Sequence, residues 1–553
     1  MLSLANRTAY TTLLDAITLN GGDQPAITFV ATDADPIVIT RTHFRETVLQ
    51  YGTLLAQQGI VSGDMVIIAH PDIVTSIYAF WGALAIGAMP SMFPTRTEKL
   101  DIDIYTQNLS QLVTRSNVKA IVTSDSSATQ LPLMPCPIIR PSMLHLPALA
   151  VPIIQPSAES IAFLQHSSGT TGLQKGVALS HQAVLNQLAS YSDAINLNAH
   201  DVIISWLPLY HDMGLIAGFL LPLMQGIPLI LMSPFDWIAH PALLLNSIDR
   251  YNGTLCWLPN FAYNHMARRI RKRDSDGLSL ATMRAFINCS EPVRHDSHNQ
   301  FLKRFADTQI TQQHLTVCYA MAENTFAVTQ TPTGQVAHID TIDQAILENN
   351  QIAKPSTDGL HIVSCGYVLK HTQIRIVDDH ANPLDERHVG EVLISSDCML
   401  THYHQRPDLQ PFTIDGWYRT GDMGYIANQQ LYIIGRKKDI IITSGKNIYP
   451  QDIEAIVNRV EGVHIGRSVV FGVMDARDGT ERIAVVVELD NETQIDEQTL
   501  KKKIRQVIGQ QTTVSASFVS LVPDKWLIKT SSGKIARAAN YQKWLKEFGT
   551  LLQ

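Results

Sequence analysis

The first third of the chain alternates two hydrophobic periods, and this alternation constrains the fold more than any other feature. "THFRETVLQYGTLLAQQGI" carries apolar residues at three- and four-residue spacing and predicts an amphipathic helix. "GDMVIIAH" is a short apolar run and predicts a buried strand; "VTSIYAFWGALAIGA" predicts a helix again, and "VKAIVTSD" a strand. Strand–helix alternation of this kind builds a largely parallel sheet covered on both faces. From Gly366 the texture changes to short strands, "TQIRIVDD", "GEVLISS", "GWYRTGDMGYI" and "QLYIIGR", which predict an antiparallel or barrel-like subdomain. Beyond "GRKKD" follows a compact α+β pattern: "RSVVFGV", "RIAVVVELD" and the basic helix "TLKKKIRQVIG". The main boundary is placed at Arg436/Lys437, giving domains 1–436 and 437–553.

Two or more domains are expected of 553 residues, since single cores stop growing well below that length. A net charge of −7 argues against a general nucleic-acid binder, whose footprint would be basic. Cys136, Cys256, Cys289, Cys318, Cys365 and Cys398 form no C-x-x-C pair, so neither a zinc site nor a disulfide framework is signalled. A reduced, cytoplasmic setting fits. Residues 1–22 lack the long apolar core of a secretory signal. Met213 to Phe235 carries no charge and is nominally long enough to cross a bilayer. Pro222, Gln225, Gly226 and Pro228 break it, however, so a buried helix followed by a buried strand is expected and no transmembrane segment.

The chemistry is announced by "FLQHSSGTTGLQKGVALSH", Phe163 to His181. Glycines let a backbone approach a ligand closely, and consecutive N–H groups and hydroxyls then point at an anion. The ATPase phosphate loop is excluded: counted from Gly169, it requires glycine where Gln174 stands and a hydroxyl where Gly176 stands. Further segments lie far apart in sequence: "WLPLYHDMGL", "INCSEPV", "CYAMAEN", "GWYRTGDMGYI", "YIIGRKKDIIITSGKNIYPQDIE" and "KTSSGKIAR". Together and in this order they resemble the adenylate-forming superfamily of acyl-CoA synthetases, luciferases and peptide-synthetase adenylation domains, over almost the whole chain.

The resemblance implies an α/β fold: a large N-terminal domain of two sheet-and-helix subdomains plus a small β-barrel-like one, and a smaller, mobile α+β C-terminal domain. It implies that Ser167, Ser168, Gly169, Thr170, Thr171, Gly172 and Lys175 hold the β- and γ-phosphates of ATP. Ser290 and Glu291 match the segment flanking the adenine, with Tyr319, Ala320 and Met321 on its other side. Glu323 matches the Mg2+ ligand, and Asp422 and Arg436 the ribose contacts. Lys534 matches the lysine bridging carboxylate and α-phosphate, with His211 also at the catalytic centre. Lys438 marks the hinge, and Tyr210 and Gly214 the acyl pocket.

Within the superfamily "YAMAE", "LPNFAYNHMARR" and the long connection from Glu323 to Gly366 resemble the fatty-acyl-AMP ligases. An insertion about 336–362 is that group's mark, implied to wedge between the domains and disfavour thioester formation with CoA. Ile339, Ile342 and Ile346 stand at helical spacing and are expected to supply its apolar face. The expected reaction is ATP-dependent conversion of a fatty acid to acyl-adenylate, then acyl transfer to the phosphopantetheine of an acyl carrier protein. The alternatives are a fatty-acyl-CoA synthetase, a luciferase-like oxygenase and a non-catalytic relative. The basic run Arg268 to Arg273 reads as a solvated helix end or a docking point for an acidic carrier protein.

Overall fold

The computed structural model describes residues 10–19, 22–96, 102–144, 153–167, 175–443, 446–475, 480–490, 495–512, 514–530 and 533–549. The alternating region folds as its periods dictate. The helices Arg41–Gln57 and Ile73–Ala85 pack against each other, and the strands Met65–Ile68, Met89–Met92, Val118–Val122 and Ile138–Ile139 form a parallel four-stranded sheet. Each helix begins at a side chain that satisfies an orphan N–H: Thr40 accepts from His43, and Asp72 from Thr75.

A thirteen-stranded sheet forms the body of the molecule. Its centre is parallel, running through Leu229–Met232, Ile203–Ser205, Leu255–Leu258, Ala285–Asn288 and Leu315–Ala320. The short strands beyond Gly366 do not stand apart as a closed barrel. They extend this sheet, because Tyr367–Val368 pairs with both Ala327–Gln330 and Gln430–Arg436. A separate three-stranded sheet contains the hairpin Ile161–Ser167 and Lys175–Ser180, with Ser167 opposite Lys175. In the C-terminal region Val463–Asp475, Thr480–Leu489 and Ala516–Val522 form one sheet, with the helix Glu497–Gln511 on one of its apolar clusters and Arg537–Phe548 on the other.

The uncharged stretch after Asp212 is a π-helix, Met213–Leu220, continuing into Leu221–Gln225, which Gly226 ends in the left-handed conformation. The strand Leu229–Met232 follows, fully buried. Among the described residues no helix is long and apolar enough to cross a membrane.

Three buried histidines make the fold acid-sensitive. Burial pushes His166, His181 and His298 down to about 4. Each stays neutral in the folded chain while its unfolded counterpart titrates near 6.5, so the unfolded state binds more protons between those values. Stability is therefore complete above about pH 6.5 and declines towards pH 4, by up to about 1.4 kcal/mol per histidine per pH unit. A denaturant midpoint clearly lower at pH 5 than at pH 7 is expected; equal midpoints would contradict it.

Candidate active site

The site gathers where the central sheet, the antiparallel extension and the C-terminal region meet. Asp422 and Arg436 stand directly opposite each other on paired strands, so their ion pair follows from register, with Arg436 Nε 2.6 Å from Asp422 Oδ1. The Tyr319 hydroxyl donates to Asp422 Oδ2 at 2.5 Å, and the Asp422 N–H donates to Thr420 Oγ1 at 2.9 Å. Asp422 raises the pKa of the Arg436 guanidinium further, and burial beside the same carboxylate holds the Tyr319 phenol protonated.

Glu323 lies in a single 3-10 turn, Ala322–Asn324, directly after the strand bearing Tyr319. Tyr403 donates to its Oε1 at 2.9 Å, and the Tyr418 hydroxyl lies 3.0 Å from that of Tyr403. Tyr403 has one proton and commits it to Glu323, so Tyr418 must donate to Tyr403. Lys175 Nζ sits 5.1 Å from the Tyr403 ring centroid, which brings the end of the hydroxyl-rich loop to the same carboxylate. Tyr403 and Tyr418 were not singled out from sequence. Tyr403 lies in no motif, and Tyr418 lies in "GWYRTGDMGYI" without being marked there; the fold brings their hydroxyls together. Ala320 adopts no positive φ, and Met321 is buried and extended.

A second group faces this one. His211 packs edge-on against Tyr210, ring centroids 4.7 Å apart, with its Nε2 buried and unpartnered among the described residues. Burial, then the Lys534 charge, pushes His211 down to about 3. Burial raises Asp212 and Glu291, and Lys534 opposes both shifts. Lys534 is exposed and comes from the C-terminal region, yet its field reaches all three residues. Its segment is held by Arg537, which pairs with Glu454 at 2.5 Å and Asp439 at 3.2 Å. The C-terminal region is tied across by Arg294, paired with Asp452 at 3.3 Å and donating to the Gln451 carbonyl, and by an ion pair between Arg459 and Asp296.

Three expectations are refined. The Glu291 carboxylate accepts from the Phe261 N–H at 2.9 Å, capping the helix Asn260–Arg269, whose own N-cap residue, Pro259, offers no side chain to do so. Ser290 beside it adopts φ +69°, a conformation uncommon outside glycine and typical of functional sites. Gly214 does not stand open to a pocket: a Cβ there would lie 2.2 Å from the Pro208 carbonyl oxygen. Enlarging residue 214 therefore displaces the preceding backbone and does not gauge the width of an acyl tunnel. Ser168, Gly169, Thr170, Thr171 and Gly172 lie outside the described residues, as does the Ser167 side chain.

The insertion is not helical throughout. Ile339–Ile342 is a strand paired with Leu360–Val363, and the helix begins only at Gln344, with Asp343 accepting from the Ile346 N–H at 3.0 Å. The aspartate between the isoleucines favours a cap over a continued helix. Ile342 and Leu347, rather than Ile339 and Ile346, enter the core, beside Tyr425, Tyr432 and Tyr449. Asp340, nearly buried, pairs with Arg387 at 2.9 Å and accepts from Tyr425 at 2.8 Å.

The model of the AMP-binding enzyme family matches residues 16–404, and that of the AMP-binding enzyme C-terminal domain matches 445–541. The chain belongs to the AMP-binding enzyme family. The medium-chain-fatty-acid–[acyl-carrier-protein] ligase JamA of Moorena producens is 32% identical, over 72% of this chain and 69% of that protein. A 4-hydroxyphenylalkanoate adenylyltransferase of Mycobacterium tuberculosis is 29% identical, over 96% of this chain and 90% of that one. A structure from a study of fatty acyl-adenylate ligases of E. coli and L. pneumophila superposes with a TM-score of 0.90 at 26% identity, covering 99% of this chain and 100% of that one. This AMP-binding enzyme is an adenylate-forming ligase with ATP as its substrate.

Proposed function

We propose that this enzyme joins a fatty acid to ATP, giving acyl-adenylate and pyrophosphate, and passes the acyl group to the phosphopantetheine thiol of an acyl carrier protein. The observation that supports the adenylation step is the convergence of the Asp422–Arg436–Tyr319 and Glu323–Tyr403 contacts with Lys175, beside which Lys534 of the C-terminal region opposes the upward shifts of Asp212 and Glu291. A carboxylate and a triphosphate repel each other, and a dry site amplifies the repulsion. Lys175, Lys438 and Arg436 lie close enough to influence one another's charge or that of Asp422, so an anionic substrate meets a field of cations. The substrate carboxylate attacks the α-phosphorus, pyrophosphate leaves, and Lys534 offsets the charge gathering between them. His211, neutral at physiological pH, adds no competing cation.

Glu323 and the phosphates would hold Mg2+. Tyr403 donates to the Oε1 of Glu323 and orients its carboxylate, and one carboxylate with substrate oxygens is a common ligand set for this ion. Bound there, the ion would neutralise phosphate charge. Asp422 and Arg436 are assigned to the ribose, the loop Ser167–Gly172 with Lys175 to the β- and γ-phosphates, and Ser290, Glu291, Tyr319, Ala320 and Met321 to the adenine. Tyr210 would border the acyl group. We place the domain boundary at Arg436/Lys437 and the hinge at Lys438; Lys437, tied to Glu391 at 3.2 Å and Asp379 at 2.9 Å, supports a turning point just beyond it.

The insertion supports an acyl-AMP ligase over an acyl-CoA synthetase. Its helix Gln344–Asn350 packs on Lys446–Ile448, and its strand Leu360–Val363 on the helix His295–Arg304. It therefore touches both sides of the proposed hinge. A bias of only about 3 kcal/mol in the domain equilibrium changes a minor population about a hundredfold. Leu347→Ala, which removes a buried anchor of this packing, is expected to leave acyl-AMP formation within a few-fold and raise acyl-CoA from near zero to detectable. No acyl-CoA from a folded variant would speak against the wedge. The overall test is incubation with fatty acids of graded length, ATP and Mg2+, with and without CoA, resolving acyl-AMP from acyl-CoA. Efficient acyl-CoA formation by the unaltered protein would replace the proposal with a CoA synthetase.

A further inference from the structure

The helices Pro234–Ala239 and Asn260–Arg269 share a face that adenylation does not explain. Phe235 is 54% exposed, Ile238 48% and Phe261 38%. They are not loose ends. Trp206 and Trp237 stack beneath them with centroids 3.7 Å apart, and Phe261 stands edge-on to both, at 6.1 and 6.3 Å. His265 Nε2 donates to the Ile238 carbonyl at 3.0 Å and joins the two helices. Phe261, His265 and Arg268 are spaced four and three residues apart, so the apolar face runs along one helical stripe into the basic segment.

That segment is only partly neutralised. Asp274 takes Arg271 at 2.8 Å and Arg273 at 3.5 Å, whereas Arg268, Arg269 and Lys272 are exposed and have no ion-pair partner among the described residues. The acidic residue of the short helix, Asp236, is occupied by Thr32 at 2.7 Å and His240 at 3.1 Å. On a chain of net charge −7, three cations without an ion-pair partner among the described residues thus accompany three exposed large apolar side chains.

We infer that this face, Phe235, Ile238 and Phe261 with Arg268, Arg269 and Lys272, docks the enzyme on an anionic lipid bilayer. Apolar side chains beside a basic stripe suit the boundary between acyl chains and acidic headgroups. The inference rests on the proposed fatty-acid substrate, which partitions into bilayers. The Phe261 N–H is held by Glu291, which senses Lys534, so the face adjoins the adenylating site. An acidic carrier protein would match the cations alone; a bilayer also accounts for Phe235 and Ile238 beside a site for an apolar substrate.

The test is co-sedimentation of the full chain with phosphatidylcholine vesicles and with mixed phosphatidylcholine–phosphatidylglycerol vesicles. Binding is expected only to the anionic vesicles, weakening as salt rises. R268A/R269A/K272A should lose about a hundredfold in affinity, at roughly fivefold per cation. F235S/I238S should weaken binding measurably without changing its salt dependence. The triple variant should adenylate a soluble short-chain fatty acid at the unaltered rate and slow only with long-chain acid presented in anionic vesicles. No binding of the unaltered protein to anionic vesicles, or equal binding by the triple variant, overturns the inference. So does capture of an acidic carrier protein that the triple variant loses while vesicles are ignored. Absence of adenylation with soluble fatty acids would instead remove the proposed function, a result distinct from vesicle binding.

Discussion

Lys534→Ala is expected to lower the rate of acyl-adenylate formation by about two decades or more, the usual effect of deleting one preorganised group facing developing charge. The fold should survive, because Lys534 is exposed and its segment is anchored through Arg537, Glu454 and Asp439. Two readouts separate chemistry from structure. The unfolding midpoint should match that of the unaltered protein, and binding of ATP without fatty acid should change little, because the lysine acts where carboxylate and α-phosphate meet. The pH profile provides a second check. His211 sits far below its ordinary value and stays neutral across the working range, so its titration should leave no inflection near pH 6.5. Adenylation by the variant within a few-fold of normal would remove Lys534 from the mechanism.

Asp422→Ala should raise the KM for ATP about ten- to a hundredfold while moving the KM for fatty acid much less. A carboxylate accepting from neutral hydroxyls makes charge-assisted hydrogen bonds of about 1.5–3 kcal/mol. The variant also frees Arg436 and the Tyr319 hydroxyl, both of which Asp422 engages. Arg436 is half-exposed and can turn to water, so the structural cost is small beside the loss of nucleotide affinity. Asp422→Asn keeps the shape and should retain part of the binding. Equal increases for ATP and fatty acid, with a lowered melting temperature, would point to a folding defect in place of a ribose contact.

The residues that could be placed in advance share a physical basis. Short-range periodicity specifies which face of an element is buried, so the helices Arg41–Gln57 and Ile73–Ala85 and the strands after Gly366 were all legible. Glu323, Asp422, Arg436 and Lys534 were marked in another way, by the resemblance of the segments that carry them to the superfamily's motifs, and their roles stand as proposals.

Where local pattern and tertiary packing competed, packing decided. The three-residue spacing of Ile339 and Ile342 fits a helix, but pairing with Leu360–Val363 and the buried Asp340–Arg387–Tyr425 contact draws the segment into a strand. Gly214, implied by the resemblance to mark the acyl pocket, stands in close approach to the Pro208 carbonyl. The strand–helix alternation, the order of the motifs and the identity of the charged groups could all be read from the residues alone, because these depend on neighbours along the chain. Packing in three dimensions set Tyr418 behind Tyr403 and Glu323, put Glu291 at the start of a helix, and placed the Lys534 charge where it acts on His211. Those relations depend on strand register and on how the C-terminal region meets the central sheet, and no local spacing encodes either.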